Sequence, residues 1–340
     1  MATRRDLDAF MATMVAHPVA VDVADAEKLA HTHYGLRATA TRLTGERDEN
    51  FKLSDADGSQ YVLKISNAAE DPAISDLPIA ALLHVERVDP GFPCPRVMRT
   101  RDGDTQCRHE GRVARLLTYL PGKTLRSAEA RSRAQRIACG RMAARLGLAL
   151  RDFTHPAARR PLIWDLRHVG KALGLLAELP DLVQRDAIAA LLERIEMLLV
   201  TRFQRLRQQV IHNDLNDLNV LVDPADEAVV VGVIDFGDLV HTALVADVAI
   251  VAADLVVSGA PVRDSIADVV MAYHEITPLQ PMELVLLNPL IAGRILTDVV
   301  VASWHRKRNP AGTHYSDLDP TVVRARVQLA TELLATDMPL

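Results

Sequence analysis

Apolar positions divide the chain into a first part rich in strands and a second part dominated by helices. Short alternating runs between turn formers predict an antiparallel sheet with strands at 36–43, 50–53, 60–65 and 112–120. Later apolar residues recur every three or four positions, which predicts helices at 185–207, 243–257, 262–274, 282–305 and 320–336. The pattern indicates an α+β protein with an N-terminal lobe at 1–120 and a mostly helical lobe at 121–340.

Local signals add shorter elements to this outline. Further helices are predicted at 4–16, at 23–34 with Gly35 as the cap, at 71–88, and after Ser127. Pro78 is expected to disturb the third of these after its first turn. A short strand is predicted at 96–99, and strands at 220–222 and 229–234 flank a turn.

Composition and charge narrow the class of protein. The chain has 340 residues, a net charge of −5 and 49% hydrophobic residues, which suits an enzyme rather than a nucleic-acid-binding or polybasic membrane surface. Three widely spaced cysteines indicate neither a disulfide framework nor a zinc site. The first residues lack the apolar core of a signal peptide, and no apolar run matches a membrane helix. A cytoplasmic location is expected.

The candidate chemistry is concentrated in residues 210–238. His212-Asn213-Asp214-Leu215, followed by Asn219, has the spacing of a kinase catalytic loop, in which the Asp receives a hydroxyl and the Asn holds magnesium. Asp235-Phe236-Gly237 adds a second metal ligand, the carboxylate of Asp235. A hairpin between the two motifs brings Asn219 and Asp235 side by side. Loop, hairpin and metal motif in this order predict a phosphotransferase site with Asp214, Asn219 and Asp235 as its catalytic residues.

The chain around this stretch is acidic. No Lys or Arg occurs from His212 to Val262, so a metal ion and a cationic acceptor are expected there. Asp217 and Asp238 are predicted to face the acceptor in front of the γ-phosphate. Asp247 lies on an apolar helix, where a buried acid must be hydrogen-bonded. Together with His212, it is predicted to support the catalytic loop.

Three residues elsewhere are candidate substrate contacts. Trp164 and Asp165 place an aromatic ring beside an acid in a loop-like segment, which either forms the floor of a pocket or simply packs. Arg294 lies on an apolar helix and faces a carboxylate, a phosphate or the partner of a structural ion pair. If the acceptor is an amino acid, Arg294 is the candidate for its carboxylate.

Lys64 is the candidate nucleotide contact in the N-terminal lobe. It lies within an apolar strand, where burying an unpaired ammonium group is costly, so we expect it to bind the α- and β-phosphates. Such a lysine needs an acidic partner on the following helix. Glu86 is favoured for this role, with Asp76 as the alternative.

Two further segments are expected to contact the nucleotide. The turn at 44–49, which contains Gly45 and precedes Asn50, is predicted to lie over the phosphates, although an ordinary polar hairpin is the alternative. The extended segment from Thr118 to Leu120 lies at the boundary between the lobes, where backbone groups are suited to bind a purine edge.

Together these motifs resemble the aminoglycoside phosphotransferase family, also called choline-kinase-like or protein-kinase-like small-molecule kinases. The residues that carry the resemblance are Leu63-Lys64-Ile65, Pro121-Gly122, the loop at 211–219, Ile234 to Asp238, and Asp247-Val248-Ala249. The segment from Gly45 to Phe51, the full loop and Trp164-Asp165 look most like the hydroxylysine-kinase branch. The resemblance implies a two-lobed protein-kinase-like fold, and for this branch the use of GTP.

The residues and the resemblance lead to one main hypothesis. It is a Mg²⁺-dependent kinase that moves the γ-phosphoryl group of ATP or GTP to a hydroxyl of a small amine-bearing molecule, with 5-hydroxylysine as the named candidate. An antibiotic O-phosphotransferase and a non-catalytic nucleotide-binding pseudokinase are the alternatives. The acceptor, the purine and the oligomeric state stay open.

Overall fold

The computed structural model describes residues 21–45, 48–68, 70–128, 131–256, 261–308 and 318–336. The helix predicted at 4–16 lies outside them. The chain divides into two compact units, one comprising residues 1–121 with 155–157, and the other 122–154 with 158–340.

Unit 1 is built on a five-stranded antiparallel sheet with the order β1-β2-β3-β5-β4. The strands are β1 (Ala38–Leu43), β2 (Glu49–Asp55), β3 (Gln60–Ile65), β4 (Cys107–His109) and β5 (Arg112–Thr118). Alternate side chains such as Phe51, Leu53 and Leu63 are fully buried, because one face of the sheet packs on the core. Helix α1 (Val23–Leu29) packs on this core and continues into a π-turn that ends at Gly35, with φ 74°.

Helix α2 (Pro72–Val88) differs from its prediction, because it runs unbroken through Pro78. Pro78 is itself buried with Leu77 and Ile79, so this packing offsets the missing backbone hydrogen bond. The strand predicted at 96–99 is reduced to one bridge, between Val97 and Leu117. The prediction of a full strand there was therefore wrong.

Unit 2 is mainly helical. Its helices are α3 (Arg133–Ala149), α4 (Ala172–Leu176), α5 (Arg185–Leu199), α6 (Val245–Val256), α7 (Val262–Ile276), α8 (Pro281–Arg308) and α9 (Pro320–Ala335). Ser132 caps α3 through a capping box with Gln135, whereas the predicted cap, Ser127, lies in a 3₁₀ turn. The prediction of Ser127 was wrong because α3 begins only at Arg133. A capping residue lies directly before its helix, and Ser127 is too far from the first backbone N–H groups of α3 to bond them.

Two small sheets in unit 2 carry the segment at 210–238 that holds the candidate chemistry. One has the order β6-β8-β9 and contains β6 (Lys123–Thr124), β8 (Val220–Val222) and β9 (Val230–Val233). The other pairs β7 (Gln208–Ile211) with β10 (Val240–Ala243). The two sheets position the loop after β7 and the segment after β9.

Among the described residues, only α8 is long and apolar enough to span a membrane. However, 83% of its most apolar window is buried inside the protein. Its contacts with α6 and α9 explain the apolar sequence as that of a core helix.

Candidate active site

The loop that begins at His212 is held by a buried carboxylate from α6. Asp247 accepts hydrogen bonds from the backbone N–H groups of His212, at 3.1 Å, and Asn213, at 2.8 Å. Asn213 adopts φ 67°, in the left-handed region that Asn tolerates better than most residues. Burial raises the pKa of Asp247 to about 7, although the two N–H donors act in the opposite direction. Asp247 therefore holds the loop at two consecutive peptide groups.

His212 connects this loop to the strand that precedes Asp235. Its Nδ1 accepts from the backbone N–H of Asp214 at 3.3 Å, so Nε2 must carry the proton that is donated to the carbonyl of Ile234 at 3.1 Å. The ring also makes an edge contact with Phe236, with the ring centroids 4.9 Å apart. Because His212 is fully buried, its pKa is lowered to about 4, and the ring is neutral at pH 7.

We expect the His212 ring to remain neutral down to about pH 5. The pKa of His212 in the folded protein lies below the usual 6.5, so between these two pH values the unfolded chain binds more protons than the folded one. Acidification therefore lowers the free energy of unfolding, by up to roughly 3 kcal/mol at pH 4. Histidine NMR titration checks this, with His212→Gln used to assign the signal. The same variant should show a weaker loss of stability on acidification, and a His212 midpoint near 6.5 would contradict the expectation.

Asp214 lies at the centre of a set of side-chain donors. Its Oδ1 accepts from Asn216 Nδ2 at 2.9 Å and from Arg294 Nη2 at 3.2 Å, while Oδ2 accepts from Asn219 Nδ2 at 2.7 Å. Arg294 comes from α8, where it also bonds Asp298 at 3.1 Å. These donors fix the orientation of the carboxylate, which suits a group that orients a hydroxyl for reaction.

The hairpin formed by β8 and β9 brings the metal motif to this loop. Val220 pairs with Val233, and the backbone N–H of Ile234 bonds the carbonyl of Asn219 at 2.9 Å, so Ile234 lies opposite Asn219 and Asp235 is the next residue along the chain. The predicted hairpin is confirmed. Asp235 is exposed, adopts φ 57°, and accepts from the backbone N–H of Gly237 at 3.2 Å.

The oxygens of this pair fit a hard divalent cation. Asn219 uses its amide nitrogen on the carbonyl and the carboxylate of Asp214, which directs its Oδ1 to the opposite side. Within the described ranges, no donor is found on that oxygen. Amide and carboxylate oxygens are the ligands that such cations prefer, with phosphates and water completing the shell. Asn219 and Asp235 are therefore the residues that would hold a divalent metal ion at this site.

Asp217 has a different environment from the one predicted. Both of its carboxylate oxygens are bonded by guanidinium groups, from Arg126 at 2.8 Å and from Arg131 at 2.7 Å. Its backbone N–H donates to Asp254, and it is buried. The assignment of Asp217 as a direct contact for an ammonium group is thus corrected, because its carboxylate is already paired and clamps the loop to residues 125–131. Asp238 is also buried, and its contact with an acceptor stays a prediction.

Trp164 and Asp165 have separate surroundings. Asp165 is buried, accepts from the Thr242 hydroxyl at 2.7 Å and caps a 3₁₀ turn through the N–H of Arg167 at 3.0 Å. Its predicted role as a substrate contact is corrected to a structural one. Trp164 instead lies under the Arg294 guanidinium, which is 4.7 Å from the ring centroid. It therefore supports a residue that bonds Asp214.

Replacing Asp165 by Ala should reduce stability without altering recognition of the acceptor. The change leaves the Thr242 hydroxyl and the Arg167 N–H without their acceptor, at a cost of about 2–3 kcal/mol. Urea denaturation measures this loss, and acceptor KM is measured in parallel. A large rise in KM with unchanged stability would restore the substrate role.

Unit 1 places three of the predicted nucleotide contacts near one another. Asn50 on β2 lies directly opposite Lys64 on β3. A Cβ added at Gly45 would overlap the backbone carbonyl oxygen of Asp48 as well as the Asn50 side-chain amide, so only glycine allows this close approach. The tip residues 46 and 47 lie outside the described residues. Asn50 and Gly45 thus form a compact turn beside the strand that carries Lys64.

The two candidate acidic partners of Lys64 have different surroundings on α2. Asp76 bonds His155 Nε2 at 3.3 Å, and both residues belong to unit 1. Glu86 lies on α2, where it is partly buried. Because the Asp76 carboxylate is engaged with His155, Glu86 remains the favoured prediction.

Two backbone N–H groups of the predicted purine-binding segment are already hydrogen-bonded within the protein. Thr118 donates its N–H to the Arg96 carbonyl at 2.9 Å, and Tyr119 donates to the Gln60 carbonyl at 3.0 Å. Leu120 has no such bond among the described residues. Of the predicted segment from Thr118 to Leu120, Leu120 therefore offers the backbone N–H best suited to a nucleotide.

Sequence reasoning missed several residues that complete the surroundings of Asp214. These are Asn216, Arg126, Arg131, Asp254 and Asp298. Asn216 was detectable, because its amide folds back onto Asp214 two residues away. The others come from distant segments and carry no local signal.

Comparison with known proteins agrees with this geometry. A model of the phosphotransferase enzyme family, known as APH, matches residues 39–279. The chain belongs to this family. This APH phosphotransferase is therefore an enzyme that phosphorylates a hydroxyl group, and its family uses a nucleotide donor together with a metal.

Relatives and solved structures extend the comparison. The phosphotransferase is 27% identical to hydroxylysine kinase from Mus musculus over 328 residues, covering 88% of this chain and 86% of the relative. Its fold is similar to that of the amicoumacin kinase hAmiN, solved with AMP-PNP, Ca²⁺ and Ami, with a TM-score of 0.68, 14% identity, and 92% and 94% coverage. A microcompartment-associated aminopropanol kinase has a TM-score of 0.63, 20% identity, and 92% and 96% coverage. These similarities show the protein-kinase-like fold.

Proposed function

We propose that this phosphotransferase is a Mg²⁺-dependent kinase that moves the γ-phosphoryl group of ATP or GTP to a hydroxyl of a small amine-bearing molecule, with 5-hydroxylysine as the first candidate. The observation that carries the proposal is the Asp214 carboxylate, held by Asn216, Asn219 and Arg294 directly beside the hairpin that presents Asp235. The mouse relative named hydroxylysine kinase supports this acceptor.

In the proposed mechanism, each residue has a limited task. Asp214 orients the acceptor hydroxyl and takes its proton, while Asn219 and Asp235 hold the metal through their oxygens. Held by these two residues, a divalent ion such as Mg²⁺ would supply neutralisation of the charge that develops on the phosphates. Lys64 holds the α- and β-phosphates, and His212 and Asp247 maintain the loop that carries Asp214. Catalysis then rests mainly on positioning and charge stabilisation.

A second candidate is an antibiotic kinase, because amicoumacin kinase shares the fold over most of both chains. The acidic residues of unit 2 suit an amine-bearing drug as well as an amino acid. The two acceptors differ in their other charges, since an aminoglycoside carries several ammonium groups and no carboxylate.

An acceptor screen tests the proposal. The full chain is incubated with ATP or GTP, with Mg²⁺ or EDTA, and with 5-hydroxylysine, amino alcohols and aminoglycosides, while release of the nucleoside diphosphate is followed. We expect metal-dependent turnover with 5-hydroxylysine and none with aminoglycosides. Preferential turnover of an aminoglycoside, with increased drug resistance of expressing cells, would favour the second candidate. Nucleotide binding without transfer to any acceptor would contradict both.

A further inference from the structure

Asp214 is part of a larger group of charged side chains in unit 2, here called the charge cluster. Its members are the carboxylates of Asp214, Asp217, Asp254 and Asp298 and the guanidinium groups of Arg126, Arg131 and Arg294. Arg294 bonds both Asp214 and Asp298, and Arg126 with Arg131 bond Asp217. Through Arg294 the cluster places charges of both signs next to the proposed catalytic base, so it is suited to recognise a charged acceptor.

The cation nearest the base is incompletely bonded. Arg294 is only 6% exposed, and its Nε and Nη2 are used on Asp298 and Asp214. Its buried Nη1 has no acceptor among the described residues. A buried donor without a partner is costly, and a carboxylate is the acceptor that a guanidinium group binds best. The structure thus leaves a cationic donor without its partner next to Asp214.

The anions of the cluster outnumber the cations by one, with four carboxylates against three guanidinium groups. Asp254 reflects this excess, because burial first, and then Asp217 and Asp298, raise its pKa to about 7. An ammonium group brought to Asp254 and Asp298 would stabilise both ionised carboxylates. The cluster therefore favours an acceptor that carries a carboxylate and yet has a net positive charge.

We propose that Arg294 binds the carboxylate, and Asp298 with Asp254 the α-ammonium group, of a hydroxylated basic amino acid whose hydroxyl lies at Asp214. This inference rests on the proposed function and adds how its acceptor is selected. A polycationic antibiotic has no carboxylate for Arg294, and its ammonium groups repel that guanidinium group. An amino alcohol can use the two aspartates but not Arg294.

Matched acceptors test the proposal on the unmodified enzyme. 5-Hydroxylysine is compared with 1,5-diaminopentan-2-ol, which lacks only the carboxylate, and with 6-amino-5-hydroxyhexanoic acid, which lacks only the α-amine. Because each analogue is unable to form one charge-assisted hydrogen bond, we expect its kcat/KM to be about tenfold to a hundredfold lower. Equal turnover of all three compounds would overturn the inference while leaving the proposed function intact.

Variants then assign each preference to a residue. Arg294→Gln should abolish the preference for the carboxylate, and Asp298→Asn or Asp254→Asn should reduce the preference for the α-amine. Each preference is measured as the ratio of kcat/KM for 5-hydroxylysine to kcat/KM for one analogue within the same variant. A general loss of kcat through Asp214 therefore cancels. A purely structural role of Arg294 would lower all rates and leave the ratios unchanged, which would overturn its assignment.

Asp268→Asn serves as the matched control. It neutralises a carboxylate that, like Asp298, is mostly buried. Asp268 pairs with Arg136 between α3 and α7, outside the charge cluster. Both ratios should stay at their wild-type values in this variant. If no hydroxyl compound is phosphorylated at all, the proposed function itself fails. That result is distinct from equal kcat/KM values for the three compounds, which would overturn only the inference.

Discussion

Replacing Asp214 by Asn is expected to lower kcat about a thousandfold, while the affinity for nucleotide stays unchanged. General-base catalysis contributes on the order of a hundredfold to ten-thousandfold, and an amide cannot accept the hydroxyl proton. The new side chain has nearly the same shape and keeps one of the two oxygens, and Asn219 also bonds the backbone carbonyl of residue 214, which the substitution leaves in place. Single-turnover kinetics with 5-hydroxylysine, together with calorimetric titration of ATP and GTP, measure the two quantities separately.

The control for this prediction is the Asp268→Asn variant, which also removes the anionic partner of a guanidinium group. It should retain wild-type kcat. A loss of kcat restricted to Asp214→Asn then shows that the base is needed for proton transfer, and is not the general result of removing a buried negative charge. Wild-type turnover by Asp214→Asn would refute the assignment of the base. A fall in nucleotide affinity of equal size would instead move Asp214 into the metal site.

Replacing Asp235 by Asn should lower kcat/KM for the nucleotide on the order of a thousandfold and raise the Mg²⁺ concentration needed for half-maximal rate. A metal ion supplies several kcal/mol of charge stabilisation, and about 1.4 kcal/mol corresponds to each tenfold change in rate. Asn tolerates the left-handed backbone at φ 57° and still accepts the Gly237 N–H. The substitution therefore changes the charge and leaves the turn in place.

Magnesium dependence distinguishes this effect from damage to the fold. Excess Mg²⁺ should restore part of the rate in Asp235→Asn, but none in Asp214→Asn, because only the first variant weakens metal binding. A Mg²⁺ titration of both variants at saturating acceptor checks the difference. An unchanged metal requirement in Asp235→Asn would show that Asp235 is not a metal ligand.

The order of elements around the site follows from local sequence. The two apolar runs at 220–222 and 229–234, separated by the turn former Asp223-Pro224, predicted the hairpin, and the structure has it as β8 and β9. The four C-terminal helices also lie within a few residues of their predicted bounds. Such elements are predictable because their periodicity and their turn residues are properties of neighbouring positions.

The use of each acidic residue was decided by tertiary structure. The sequence treated Asp217 and Asp165 as open to a substrate, whereas Asp217 is paired with two arginines that precede it by 91 and 86 residues, and Asp165 is bonded to Thr242, 77 residues later. Asp217 lies in the same acidic stretch as Asp214, so composition alone cannot separate them.

The sequence by itself predicted the candidate catalytic loop, the candidate metal motif and the kinase-like fold, since each depends on residues close together in the chain. Only the tertiary structure decided that Arg294 bonds Asp214 from 80 residues away, and that Asp298 and Asp254 join it. The physical reason is that a buried charge must find a partner wherever packing brings one near, and that partner is set by the approach of helices, not by spacing along the chain.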